Sequence, residues 1–218
     1  LNCTQQVNAN AGFSISTYTG NGQNSTIGHG LATIPDITMF RERGTAGNWI
    51  FRIKGDGNDN NLYPQIQNAT SDGDYFQDTA ATASVTSIGT PGDINGSTQT
   101  YVMWAWENKT GFSKHGLFEG NNNANGSFMF LGFRPAFVML KSLDSTSGWY
   151  LYDNKREGYN PSVWRIRANT ISGDTTLYVI ESATSGDAIY DNTNGYSGTT
   201  SRFTANQTVS WTISPSND

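Results

Sequence analysis

Two stretches of this chain carry the same landmarks in the same order. Gly12-Phe13-Ser14, Gly20-Asn21-Gly22, Pro35 and Gly47-Asn48-Trp49 recur as Gly111-Phe112-Ser113, Gly120-Asn121-Asn122, Pro135 and Ser147-Gly148-Trp149. Gly12 and Gly111 stand 99 residues apart, whereas Gly20 and Gly120, Pro35 and Pro135, and Trp49 and Trp149 each stand 100 apart. One residue inserted near Lys114 to Leu117 accounts for the change. A shared period of this length, with turn and aromatic residues in register, specifies two copies of one structural unit. A single active site is not usually built twice, so landmarks present in both copies are explained by folding before chemistry. The division expected is a lead-in over residues 1–11, a first unit over 12–107 and a second over 111–218.

Composition narrows what such units can be. The chain has 218 residues, enough for one large core or two small ones. Aromatic residues make up 12% of it, too many for a disordered segment. No apolar run approaches the roughly 18 residues that cross a bilayer as a helix, so membrane insertion is not expected. Abundant Gly, Asn, Ser and Thr between short apolar stretches read as strands joined by turns. The fold expected is all-β, built as two tandem, related β-sandwich units of jelly-roll type.

The strands themselves are legible. Residues 13–18, 37–40 and 49–53 mix aromatic and β-branched residues, and Gly44 to Gly47 suits a hairpin between the last two. Residues 62–63 and 85–88 are shorter candidates. Tyr101 to Trp106 is apolar on both faces, which predicts a central strand. Residues 128–131, 137–140, 149–152, 163–167 and 177–180 continue the pattern, and Asn206 to Trp211 resembles Thr98 to Trp104. No amphipathic helix is expected.

Catalytic chemistry finds little support. The nucleophile motif Gly-x-Ser-x-Gly does not occur. His29 and His115 do not align between the copies, so ordinary polar roles are expected for both. Cys3 is the only cysteine, which rules out an internal disulfide and a Cys-based metal cluster. Glycoside hydrolysis needs two carboxylates, yet Glu42, Glu107, Glu119, Glu157 and Glu181 form no recognisable pair. Asp56 to Asn61 imitates a calcium loop in its spacing of oxygens, but Asn61 replaces the required glycine and Gln67 the final glutamate. An Asn-rich loop or an irregular surface site are the alternatives there. The expectation is therefore no catalytic residue, no metal and no cofactor. A net charge of −5 without a basic run argues against a nucleic-acid partner.

Sugar binding is the better suspicion, because aromatic faces stack on sugar rings while Asn and Asp bond hydroxyls. Trp49 and Trp149 are repeat equivalents, as are Trp104 and Trp211 more loosely, so these four are expected in the core. Trp106 and Trp164 have no counterpart and are the candidate ligand-binding platforms.

Gly12-Phe13-Ser14 with Tyr18 to Gly22, Gly28-His29-Gly30-Leu31 and Pro35-Asp36 resembles a repeat of structural proteins from tailed bacteriophages. Gly132 to Val138 with Lys141 and Gly148-Trp149 is similar to its partner repeat. The resemblance implies a non-enzymatic virion component, such as a tail-fibre or capsid-decorating appendage. Its partners would be other virion proteins, itself as a homo-oligomer (a trimer by analogy), and a host-surface glycan. A carbohydrate-binding module is the alternative reading, and a polysaccharide depolymerase a more distant one.

Overall fold

The computed structural model describes residues 1–123, 125–155 and 166–168, with backbone pairing also at 190–191 and 195–196. Among these residues the chain is almost wholly β. The strands are β1 (Cys3–Asn8), β2 (Phe13–Thr19), β3 (Ser25–Gly28), β4 (Ile37–Glu42), β5 (Trp49–Ile53), β6 (Asn60–Asn61), β7 (Ser71–Asp72) and β8 (Val85–Ile88). One helical turn, α1 (Gly92–Asn95), precedes β9 (Thr100–Trp106). Then follow β10 (Phe137–Leu140), β11 (Tyr150–Asp153), β12 (Ile166–Arg167), β13 (Tyr190–Asp191) and β14 (Gly195–Tyr196).

The main sheet is antiparallel, in the order β1-β2-β9-β4-β5. β9 lies at its centre, paired with β2 on one side and β4 on the other, as its two apolar faces predicted. Tyr101, Met103 and Ala105 point inward and are fully buried. Tyr101 and Met103 join Tyr18, Phe40 and Ile50 from β2, β4 and β5, Phe76 from the loop before β8, and Ile27, Ile88 and Ile94 from the layer that covers this face, in one core. That layer is the β3–β8 pair together with α1.

Polar side chains lock the layers together. Tyr18 donates its hydroxyl proton to Ile94 O at 2.6 Å. Asn95 is fully buried; its Nδ2 donates to Gln23 O and Gly89 O, both at 2.7 Å, and its Oδ1 accepts the Asn21 N–H at 3.0 Å. Two repeat landmarks acquire physical reasons here. A Cβ on Gly20 would lie 2.3 Å from Gly96 O, so only glycine fits against α1. Gly12 has φ +62°, and a Cβ there would lie 2.7 Å from Glu107 Cγ.

The expected lead-in is corrected: residues 3–8 form β1, paired with β2 from Cys3–Tyr18 to Asn8–Phe13. An edge strand has one ladder side open to solvent and tolerates polar residues, so the polarity of Thr4-Gln5-Gln6 did not exclude a strand. Residues 128–131 form no strand. Phe128 is 89% exposed and Phe130 77%, and among the described residues no strand pairs with this segment. The expected strand at 62–63 is displaced. Leu62 exchanges backbone hydrogen bonds with Phe51 at 2.8 and 2.9 Å beside the short β6–β7 pair. The strands expected at 177–180 and 206–211 lie outside the described residues.

The second repeat contributes β10-β11-β12 as a three-stranded sheet. Its Trp149 packs on the first sheet. It is 2% exposed and packs edge-on against Phe51, with ring centroids 5.3 Å apart at 72°. Phe51, Leu62 and Trp149 form a second buried cluster, joined by Ile37, Met39, Ile53 and Leu143. The backbone bonds Thr70 N–H to Leu143 O at 2.8 Å and Ser147 N–H to Gln67 O at 2.9 Å tie the same regions.

Trp149→Ala is therefore expected to destabilise the first sheet as well as the second repeat. Loss of a buried Trp costs about 3–5 kcal/mol. Urea unfolding should show the loss, and amide exchange at Phe51 and Ile53 should accelerate. Unchanged exchange there would show that the two regions are independent.

Candidate binding face on the outer side of the sheet

Strand alternation turns a second set of side chains away from the core. Register aligns them in three rows across the sheet. The first reads Asn8, Phe13, Trp106, Ile37, Ile53; the second Gln6, Ile15, Trp104, Met39, Phe51; the third Thr4, Thr17, Val102, Arg41, Trp49. The β4–β5 side of this face is covered by Trp149 and Leu143. Phe13, Ile15, Val102, Trp104 and Trp106 on the β2–β9 side are half-buried.

The aromatic rings are arranged in pairs. Phe13 and Trp106 lie 5.2 Å apart at 39°, and Trp49 stacks on Trp104 at 5.4 Å and 21°. The Arg41 guanidinium sits 5.7 Å from the Trp49 ring centroid. Exposed Thr4, Gln6 and Asn8 on β1 rim the aromatic surface with hydrogen-bonding groups. Flat apolar surface edged by amides and hydroxyls can stack a sugar ring or pack a protein partner.

Trp106 thus stands on an outward, partly accessible face, while Trp164 lies outside the described residues, as does Trp211. The expectation of core burial holds for Trp149 and is corrected for Trp49 and Trp104. Both are repeat landmarks or near-landmarks, but the repeat marks a position along a strand and not the face it points to. Phe13, Ile15 and the β1 rim were missed. On β2 the small residues point inward: Ser14 and Ser16 are buried, and the Ser14 hydroxyl donates to His29 O. Ser14 and Ser16 reach the His29 and Gly28 carbonyls, and strand alternation puts Phe13 and Ile15 on the other face.

The titratable groups nearby serve the fold. Glu107, directly after Trp106, is buried; it pairs with Lys109 and accepts the Thr33 hydroxyl. Lys109 first, and Thr33 next, hold its carboxyl below the ordinary range, so it is ionised at neutral pH and has no proton to give as a general acid. His29 is fully buried. Its Nε2 lies 3.1 Å from Thr82 O and its Nδ1 accepts the Leu31 N–H at 3.2 Å, which defines a neutral ring protonated at Nε2. Burial pushes its pKa down, against the opposing pull of the Thr82 carbonyl and Glu107. His115 is also lowered by burial, and its Nδ1 lies 3.1 Å from Asn108 Oδ1. In the loop from Asp56, Asp56 Oδ2 accepts the Thr70 hydroxyl at 2.8 Å and Asp59 Oδ1 accepts the Phe76 N–H. No group of three or more His, Cys, Asp or Glu is placed to hold a metal ion among the described residues.

Comparison with known families finds one match, over residues 1–205, to a domain of unknown function, DUF7483. The chain belongs to the DUF7483 family. The matched residues include the landmark glycines, prolines and tryptophans up to Trp149 and the whole outer sheet face. No curated protein and no solved structure matches the chain.

The histidines give this DUF7483 domain a defined pH response. A group whose folded pKa lies below its unfolded value favours the folded state while neutral, so that stability is lost as pH falls below the ordinary 6.5. The urea midpoint should drop between about pH 7 and pH 5, and the drop should shrink in His29→Gln. A midpoint that stays level, or rises, would refute the buried neutral ring.

Proposed function

We propose that this DUF7483 chain is a non-enzymatic structural module of a tailed-bacteriophage particle, a tail-fibre or capsid-decorating appendage. Its place is the virion, beside other virion proteins, and it assembles with copies of itself, taken as a trimer. The observation that carries the reading is the amount of aromatic surface left outward. Phe112, Phe118, Phe128, Phe130 and Phe137 are all more than half exposed, in addition to the outer sheet face. Exposed aromatic side chains in this number favour contact with another protein, and symmetric assembly lets one patch serve several interfaces. The resemblance of the duplicated landmarks to phage structural repeats gives the particle context.

A tandem pair of related β-sandwich units is the architecture we propose with it. Its support is the agreement of β4 with β10 and of β5 with β11, which begin 100 and 101 residues apart. Light scattering of the purified chain should give a closed oligomer, and Phe128→Ser with Phe130→Ser should lower its mass without altering the far-ultraviolet circular dichroism. A monodisperse monomer at tens of micromolar would remove the self-assembly, and a particle protein inventory without this chain would remove the virion reading.

A glycan-recognition role is the second reading, favoured by the aromatic face and its Gln6 and Asn8 rim. Binding on a glycan array should then be lost in Trp106→Ala, since stacking on an aromatic face contributes about 1–3 kcal/mol. Trp164→Ala serves as the companion variant. Absence of binding to any glycan would leave assembly as the only role of the face.

A further inference from the structure

Away from the aromatic face, on the inner side of the same sheet, Arg52 is buried without a carboxylate partner. It is 7% exposed, and its guanidinium carbon lies 4.7 Å from the Phe76 ring centroid. Only neutral acceptors reach it: Thr79 O at 3.0 Å from Nη2 and Thr86 Oγ1 at 3.5 Å from Nη1. The remaining N–H groups of the fork have no protein acceptor among the described residues. A buried cation left in this state is costly, because desolvation is offset only by a counter-charge or a full set of hydrogen bonds. The acid that acts on it electrostatically, Asp59, spends an oxygen on the Phe76 N–H.

Arg52 faces a cavity of about 110 Å³. Thr38, its register partner on β4, lines the same cavity. Thr38 is 3% exposed, and its Oγ1 is buried with no hydrogen-bond partner. Lys54 reaches the wall from beyond the end of β5, its ammonium 3.7 Å from Asp36 Oδ1; Asp36 Oδ2 is occupied by the Asn108 N–H at 2.7 Å. Every charged side chain that lines the cavity is therefore a cation, Arg52 or Lys54, and the wall contains no Asp or Glu. Apolar contact comes from Ile34 and Pro35. A single water needs roughly 10–15 Å³ of such space, so the volume accommodates a group of several heavy atoms.

We infer that this cavity is a binding site for a small oxyanion, a carboxylate or sulfate group held by the Arg52 fork, the Thr38 hydroxyl and Lys54. An oxyanion supplies acceptor oxygens for the unclaimed guanidinium N–H groups, a partner for Thr38 Oγ1, and a counter-charge for Arg52, with the Lys54 ammonium shared between it and Asp36. A free inorganic anion and the acid group of an acidic sugar share this chemistry. The inference does not depend on the virion reading, since it concerns a different face and a different ligand.

The test is nuclear magnetic resonance titration of the full chain with sulfate, acetate and glucuronate at constant ionic strength, with chloride as baseline. Amide signals of Gly55, Gly57 and Ala81 should shift saturably with the oxyanions and not with chloride. Thr38→Val keeps the side-chain shape and removes the unpartnered hydroxyl. It should raise the melting temperature in anion-free buffer while weakening binding about fivefold. Lys54→Gln, at a half-exposed position, should leave the fold unchanged and weaken binding about threefold. Glucuronate binding more tightly than acetate identifies the acidic sugar as the source, and equal binding identifies the free ion. The site is refuted if no saturable shift occurs, if chloride acts equally, or if both variants bind as well as the parent chain.

Discussion

The rest of this structure depends on β9 being sandwiched between β2 and β4. Seven residues from Thr100 to Trp106 form ladders with strands that begin at Phe13 and Ile37, so the central strand closes loops of many tens of residues. Closing loops of this length costs chain entropy before any contact repays it. Repayment comes from both faces of one strand: Tyr101, Met103 and Ala105 below, Val102, Trp104 and Trp106 above. A central strand apolar on both faces forces the sheet to find cover twice. The inner apolar cover comes from the residues before β9, where Ile27, Phe76, Ile88 and Ile94 fill the core. The outer cover comes partly from the second repeat through Trp149 and Leu143, and it stops at the β4–β5 side.

This asymmetry connects packing to function. Where Trp149 seats itself, Phe51 and Leu62 become core; where it does not, Phe13, Trp104 and Trp106 are left as a half-buried platform. The inner face has a different incompleteness. Its apolar part is closed, but at the far end of the β4–β5 hairpin Thr38 Oγ1 has no partner and Arg52 has only two neutral acceptors where both line a cavity. The proposed assembly would cover the outer apolar surface, and the proposed anion would fill the cavity beside Arg52 and Thr38. The two features are on opposite faces of one sheet and make separate demands.

Much of the strand plan was legible because it is written in local terms. Residues 13–18, 37–40, 49–53, 85–88, 101–106 and 137–140 all fall in strands, and the hairpin at Gly44 to Gly47 joins β4 to β5. β1 was not legible, since an edge strand made of Thr and Gln looks like a polar leader until its partner is known. Which face of β2 points inward was equally hidden in the sequence. Alternation separates Phe13 and Ile15 from Ser14 and Ser16, but hydrophobicity alone assigns the wrong pair to the interior. The hydrogen bonds of Ser14 and Ser16 to the His29 and Gly28 carbonyls decide it. The outer aromatic face was legible only through Trp106. The oxyanion cavity left no local signal, because Thr38, Arg52 and Ala81 are distant in sequence and ordinary one by one.

The sequence by itself determined the all-β class, the central position of β9 and the landmark glycines, because periodicity, backbone freedom and two-sided apolarity are properties of short segments. Tertiary structure alone decided that Trp149 belongs to a core shared with the first repeat, while its repeat equivalent Trp49 stacks on Trp104 at the surface. Trp49 and Trp149 follow similar local landmarks in the sequence. They part because Trp149 packs on Phe51 and Leu62 while Trp49 lies against Trp104. Burial is set by what lies across the sheet, and that is a property of the folded chain as a whole.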